Sequence, residues 1–98
     1  NDGIEYGRKL FRENVDVIRR VYGYDYDAWA NWFKRIIEHA TYERLPDEVE
    51  YVLSRSGLDE DEKIIIMDDV AHDVMYIWKL GIRDGINDEF RKMVSRRE

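Results

Sequence analysis

Four residues, Asp68, Asp69, His72 and Asp73, carry the side chains best equipped for chemistry in this 98-residue chain. Carboxylates and an imidazole three and four residues apart fall together on a helix, and Asp-x-x-His is a reasonable ligand pair for a divalent cation. In a carboxylate-bridged metal bundle, however, such ligands project inward. At about 100° per residue, Asp69, His72 and Asp73 lie opposite the apolar stripe of Met67, Val70, Val74 and Trp78. The spacing therefore predicts a solvated acidic face with a surface histidine.

The second histidine, His39, stands with Glu38 and Glu43. It borders the apolar face of its helix, so a packed, hydrogen-bonded ring is expected there, and a joint site with His72 would need the two helices to meet through the wrong faces. No cysteine is present, which excludes a disulfide framework, thiolate metal sites and cysteine nucleophiles. Ser54, Ser56 and Ser95 lie outside any nucleophile-elbow context, and no glycine-rich phosphate loop occurs.

The acidic cluster is expected on one long amphipathic helix, Asp59 to Leu80 and onward to about residue 83. Met67, Val70, Ala71, Val74, Ile77 and Trp78 make its apolar side, which Gly81, Ile82 and Gly85 would extend. Asp69, His72, Asp73, Tyr76, Lys79 and Arg83 make the other. Asp59 with Glu62 has the capping-box spacing, and Glu60, Asp61 and Glu62 suit the positive end of the helix dipole. Past Gly85 the stripe changes phase to Ile86, Phe90, Met93 and Val94, which predicts a bend or break across Gly81 to Gly85. Those two glycines have the small-x-x-x-small spacing that admits a close helix, with internal packing or a bend favoured over a dimer contact. Gly3-Ile4-Glu5-Tyr6-Gly7 faintly echoes Gly81-Ile82-Arg83-Asp84-Gly85.

Three further helices are expected upstream. Residues 3 to 22 carry Ile4, Phe11, Val15, Ile18 and Tyr22 on one stripe, and Gly23 ends them as a C′ glycine does. Asp27, ahead of Asp25, is the expected cap of a second helix whose Trp29, Trp32, Phe33, Ile36, Ile37 and Ala40 face the core, with Trp32 and Phe33 among the costliest to lose. Pro46, Asp47 and Glu48 open a short third helix that Gly57 and Leu58 close. Hydrophobic residues at 44%, aromatics at 13% and a single proline argue for a folded all-α chain. The expectation is a compact bundle of four to five helices and one domain spanning residues 1–98.

Charge supplies the functional expectation. The net charge is −6, and residues 47–73 hold ten acids against two bases, whereas residues 74–98 hold six bases against four acids. So local an excess implies a surface of one sign. It would repel a duplex, and Arg91, Lys92, Arg96 and Arg97 also suit the negative end of a helix, so no direct nucleic-acid binding is expected. No apolar run reaches the ~18 residues of a membrane span. The expectation is a cytoplasmic or intracellular, non-enzymatic recognition module of the inhibitor, immunity or regulatory kind. Its acidic surface of Asp59, Glu60, Asp61, Glu62, Asp68, Asp69, His72 and Asp73 would meet another protein's basic surface, without a cofactor.

Two alternatives accompany it. The segment Asp68-Asp69-Val70-Ala71-His72-Asp73-Val74 with Leu80-Gly81-Ile82 resembles the second acidic helix of the MazG-type nucleotide pyrophosphohydrolases. That resemblance, over about a fifth of the chain, implies an all-α hydrolase with magnesium or manganese held by Glu48, Glu50, Asp69 and Asp73. The family pairs Glu-x-x-Glu with Glu-x-x-Asp; here the spacings are two and four. The other alternative is a structural homo-oligomer, a homodimer for instance, joined through Gly81, Gly85 and apolar residues such as Ile65 and Leu80 left on the polar side.

Overall fold

The computed structural model describes residues 2–97; Asn1 and Glu98, which the whole-chain reading includes, lie outside the described residues. Among the described residues are five helices and no strand: α1 (Asp2–Tyr22), α2 (Tyr26–Glu43), α3 (Asp47–Arg55), α4 (Glu60–Asp69) and α5 (His72–Arg97). The chain is a compact all-α bundle with one long helix, as its composition requires.

Local signals set most boundaries. Gly23 takes φ 62° and donates its N–H to the Arg19 carbonyl at 2.7 Å, closing α1. Asp25, rather than Asp27, caps α2 by accepting the Ala28 N–H at 3.1 Å. The earlier start places Tyr26 within the helix and its ring 6.3 Å from that of Phe90. Pro46 precedes α3, its carbonyl accepting from Val49 and Glu50, and Gly57 leaves α3 at φ 70°. The capping box of α4 is complete: Asp59 accepts the Glu62 N–H at 2.8 Å and Glu62 accepts the Asp59 N–H at 3.3 Å.

The single long helix expected over about 59–83 is instead two, broken at Val70 and Ala71, although no glycine or proline stands there. The Ile66 carbonyl accepts both the Val70 and the Ala71 N–H at 2.9 Å, so the last turn widens and the chain restarts at His72. Packing supplies the reason. On one straight helix Ile66 would lie about 160° from Ile82, yet Ile82 is in the core and Ile66 packs against it, partly buried. The break resets the phase so that α4 and α5 can each face inward. Gly81 to Gly85, where a bend was expected, are instead continuous helix within the 26 residues of α5.

That continuity follows from what covers the glycines. A Cβ on Gly7 would press on the Ile82 carbonyl, and one on Gly85 would press on the Ile4 carbonyl and lie 2.9 Å from the Arg8 nitrogen. The pairs Gly7 with Ile82 and Ile4 with Gly85 exchange places across the crossing. Residues of the two similar pentapeptides thus form the two halves of one close backbone contact, in which Gly85 serves internal packing, and Gly81 is buried beside it. Tyr6 with Trp78, Arg8 with Asp88 and Arg12 with Glu89 continue the pairing, which makes α1 and α5 parallel.

The second helix runs antiparallel to both. Its start brings the Trp29 ring 5.2 Å from Phe90 and 5.7 Å from Phe11, and its end accepts the Trp78 indole N–H on the Arg44 carbonyl at 2.8 Å. Trp29 is fully buried, with its indole N–H on the Gly23 carbonyl at 2.9 Å, while Trp32 is only half-buried. The centre of the aromatic cluster is therefore Trp29 with Phe33, not Trp32. Val49 and Leu53 anchor α3, and α4 packs on α5 through Ile66 and Met67. The molecule measures 51 × 23 × 19 Å, and no helix is long and apolar enough to cross a membrane.

Candidate recognition surface

All eight residues expected on the acidic surface, Asp59, Glu60, Asp61, Glu62, Asp68, Asp69, His72 and Asp73, are exposed. They gather at the two ends of α4, separated by about 14 Å of helix. At the first end Asp59 is engaged in the capping box and Glu60 pairs with Lys63 at 3.4 Å. The Glu62 backbone N–H, donated to the Asp59 carboxylate, holds its pKa below the usual value. This end of the cluster thus has a structural task as well as an electrostatic one.

The second end is divided by the break. Asp69, His72 and Asp73 were expected together on an unbroken helix. Instead Asp68 and His72 line one cleft of about 140 Å³ with Tyr42, Tyr76 and Lys79, and Asp69 and Asp73 stand outside it. His39 is exposed, not packed, and does not line that cleft. It lies one position beyond the arc of Trp29, Phe33, Ile37 and Ala40 that α2 buries.

The ligand set of the hydrolase reading is not assembled. Glu48 lies on the wall of a different cleft, beside Asp2 and Asp47, while Asp69 closes α4 and Asp73 opens α5. Among the described residues no three of His, Asp and Glu come close enough to hold a metal ion.

Apolar residues accompany the acids. No residue of α4 is buried, and Ile64 and Ile65 are more than half exposed. At helical spacing Ile64 has Asp61 and Asp68 as neighbours, and Ile65 has Asp61 and Asp69. The outward face of α4 is consequently two isoleucines framed by carboxylates.

The first turns of α5 carry a second apolar surface, where the expected core stripe holds at Trp78 and Ile82 but not at Val70, Val74 or Ile77. Met75 and Trp78 are buried, whereas Ile77 is 60% and Val70 79% exposed, and Val74 is also exposed. With Ile82 and Ile86 fully buried, the inward arc is Met75, Trp78, Ile82, Ile86 and Glu89, and Ile77 lies about 140° from Ile82. Val74, Ile77 and the edge of Trp78 then line a cleft of about 270 Å³ with Asp2, Pro46, Asp47 and Glu48.

At the opposite end, Glu89 occupies the middle of the buried arc with its side chain 10% exposed. It accepts a bond from Arg12 at 2.9 Å and has the Lys92 ammonium 3.8 Å away. Its helical phase, in line with Ile82 and Ile86, was the available signal. The C-terminal bases interleave with acids here: Lys92 also reaches Asp88 at 3.2 Å, and Asp88 binds Arg8 at 3.0 Å. Hydrogen bonds from Lys92 first, and then from Arg8, lower the pKa of Asp88.

No protein-family model, curated protein or solved structure matches the chain.

Proposed function

We propose that the protein is a small recognition module whose α4, with the α4–α5 junction, meets a basic surface on another protein. The observation that supports this reading is the freedom of the helix: it buries no residue of its own, yet it carries carboxylates at both ends and two exposed isoleucines between them. A partner face with an apolar centre and a charged rim is a common interface pattern. The carboxylates would quicken and orient the encounter, and the isoleucines would supply the area removed from water.

The test is the association rate with a basic partner recovered by affinity capture. Asp69→Lys with Asp73→Lys is expected to slow association and flatten its dependence on salt while leaving the helical circular dichroism unchanged. Unchanged association in that variant would remove the acidic face from the interface.

A further inference from the structure

We infer that the cleft at the start of α5 is a docking groove for a lysine- or arginine-flanked amphipathic helix of the partner protein. This rests on the reading of the chain as a recognition module, and it names a separate place on the molecule and the chemistry that fills it. α1 packs along α5, and its first residues, Asp2 and Gly3, line the same cleft as Trp78. Among the described residues Val74 and Ile77 stay exposed in that cleft as an apolar strip, and Pro46 and the edge of Trp78 give the strip a floor and a side.

The rim decides what can lie there. Asp2, Asp47 and Glu48 stand along one flank, and exposed Asp73, adjacent to Ile77 at about 40° around the helix, stands on the other. A strip with carboxylates on both sides selects an apolar face bordered by cations, the helix-in-groove mode of peptide recognition. A second copy of this chain would meet the strip through an isologous contact and bring the same carboxylates against themselves. An anionic lipid surface would be repelled for the same reason. Charge therefore favours a cationic helix over both.

The probe is a synthetic Lys/Leu peptide of about 18 residues with its leucines on one helical face, beside a scrambled peptide of the same composition. Binding to the full chain is followed by amide and indole NMR shifts and by affinity at two salt concentrations. The amphipathic peptide is expected to shift Val74, Ile77 and the Trp78 indole N–H, and to bind more tightly than the scrambled one. Ile77→Ser is expected to weaken it about tenfold or more at either salt concentration. Asp47→Asn with Glu48→Gln is expected to remove mainly the salt-dependent part of the affinity.

Shifts confined to α4, with Ile65→Ser and not Ile77→Ser weakening the peptide, would overturn the groove and leave the acidic recognition reading standing. Equal affinity for the scrambled peptide would overturn the groove as well. Binding of neither peptide anywhere on the chain would count against both proposals. Light scattering that reveals a dimer dissolved by Ile77→Ser would assign the strip to a second copy and overturn the partner helix.

Discussion

Replacing Gly85 by alanine sets two physical expectations against each other. Helix propensity alone predicts that Gly85→Ala stabilises α5 by about 1 kcal/mol. The crossing predicts the opposite sign. The added Cβ would press on the Ile4 carbonyl and lie 2.9 Å from the Arg8 nitrogen, both helix backbone that cannot swing aside as a side chain could. Against an optimum of about 3.5–4.0 Å, α1 and α5 must part by roughly 0.6 Å or more. A gap of that size forfeits about a quarter to a half of the dispersion well. Ile82 and Ile86 are fully buried in this seam, and burial of each contributes about 1.5–3 kcal/mol. The fraction lost from the two is about 1–3 kcal/mol, and Phe11 and Leu10 in the same core place it in the upper part of that range. Set against the propensity gain, Gly85→Ala should be less stable by about 1–2 kcal/mol. Gly7→Ala opens the same seam, so the double variant should lose less than the sum, with a coupling of about 0.5 kcal/mol or more. Urea unfolding followed by circular dichroism measures all four corners of the cycle. A raised midpoint for Gly85→Ala, or strict additivity with Gly7→Ala, would refute the close-approach argument.

Trp29→Ala should cost about 3–5 kcal/mol and exceed Trp32→Ala, because the first empties a fully enclosed site and frees the Gly23 carbonyl; urea midpoints that rank them the other way would displace Trp29 from the centre of the cluster. Glu89→Leu should be close to neutral or stabilising, since Arg12 is 62% exposed and keeps its water, whereas Arg12→Ala removes the closer ion pair of a buried carboxylate, leaving Lys92 at 3.8 Å, and should cost about 1–3 kcal/mol. The same unfolding assay checks whether that order holds. Asp59 and Asp88 both have pKa values lowered in the folded chain, by the Glu62 N–H and by Lys92 with Arg8 respectively. The stability they supply is present in full above the ordinary carboxylate range and is lost as pH falls through their folded values. Asp59→Asn with Asp88→Asn should therefore flatten the acid limb of a stability-against-pH curve, and an unaltered limb would rule these two groups out as its source. Ile77→Lys should change stability by no more than about 0.5 kcal/mol, measured in urea, as befits a side chain outside the core.

Features that depend on one turn of chain were legible in the sequence. Gly23 and Gly57 adopt the positive φ that their positions required, and the Asp59–Glu62 box closes as spaced. The solvent side of α5 was equally plain, because His72, Asp73, Tyr76, Lys79 and Arg83 would be costly to bury. Errors came where a distant element chose between local options. Val74 and Met75 are both apolar, and only the burial of Ile82 and Ile86, which share the phase of Met75, shows which of the two faces inward. The close approach at Gly85 likewise turns a residue that weakens an isolated helix into part of the α1–α5 seam. Val70 and Ala71 carry no breaker chemistry, so the break there is visible only once Ile66 and Ile82 must both reach one core. The echo between Gly3–Gly7 and Gly81–Gly85 was in the sequence, but its meaning lay in the pairing of the two segments.

This division between a strong seam and lightly packed outer elements also bears on recognition. The α1–α5 crossing and the Trp29 cluster hold the three long helices with buried backbone and aromatic contacts, none of which involves the acidic residues of α4. The fourth helix depends on Ile66, Met67 and its capping box, and so belongs to the low-stability end of the structure from which moving and binding elements are drawn. Its acids can thus vary in number and place without reaching the core. The start of α5 is different, because Val74 and Ile77 sit on the same rigid helix as Ile82 and are held at fixed height above Trp78. A groove on that helix is pre-organised, and a partner seated there would meet little ordering penalty. In the recognition we propose, long-range attraction would therefore fall to the loosely held α4, and the fixed geometry that discriminates one apolar helix from another would fall to α5.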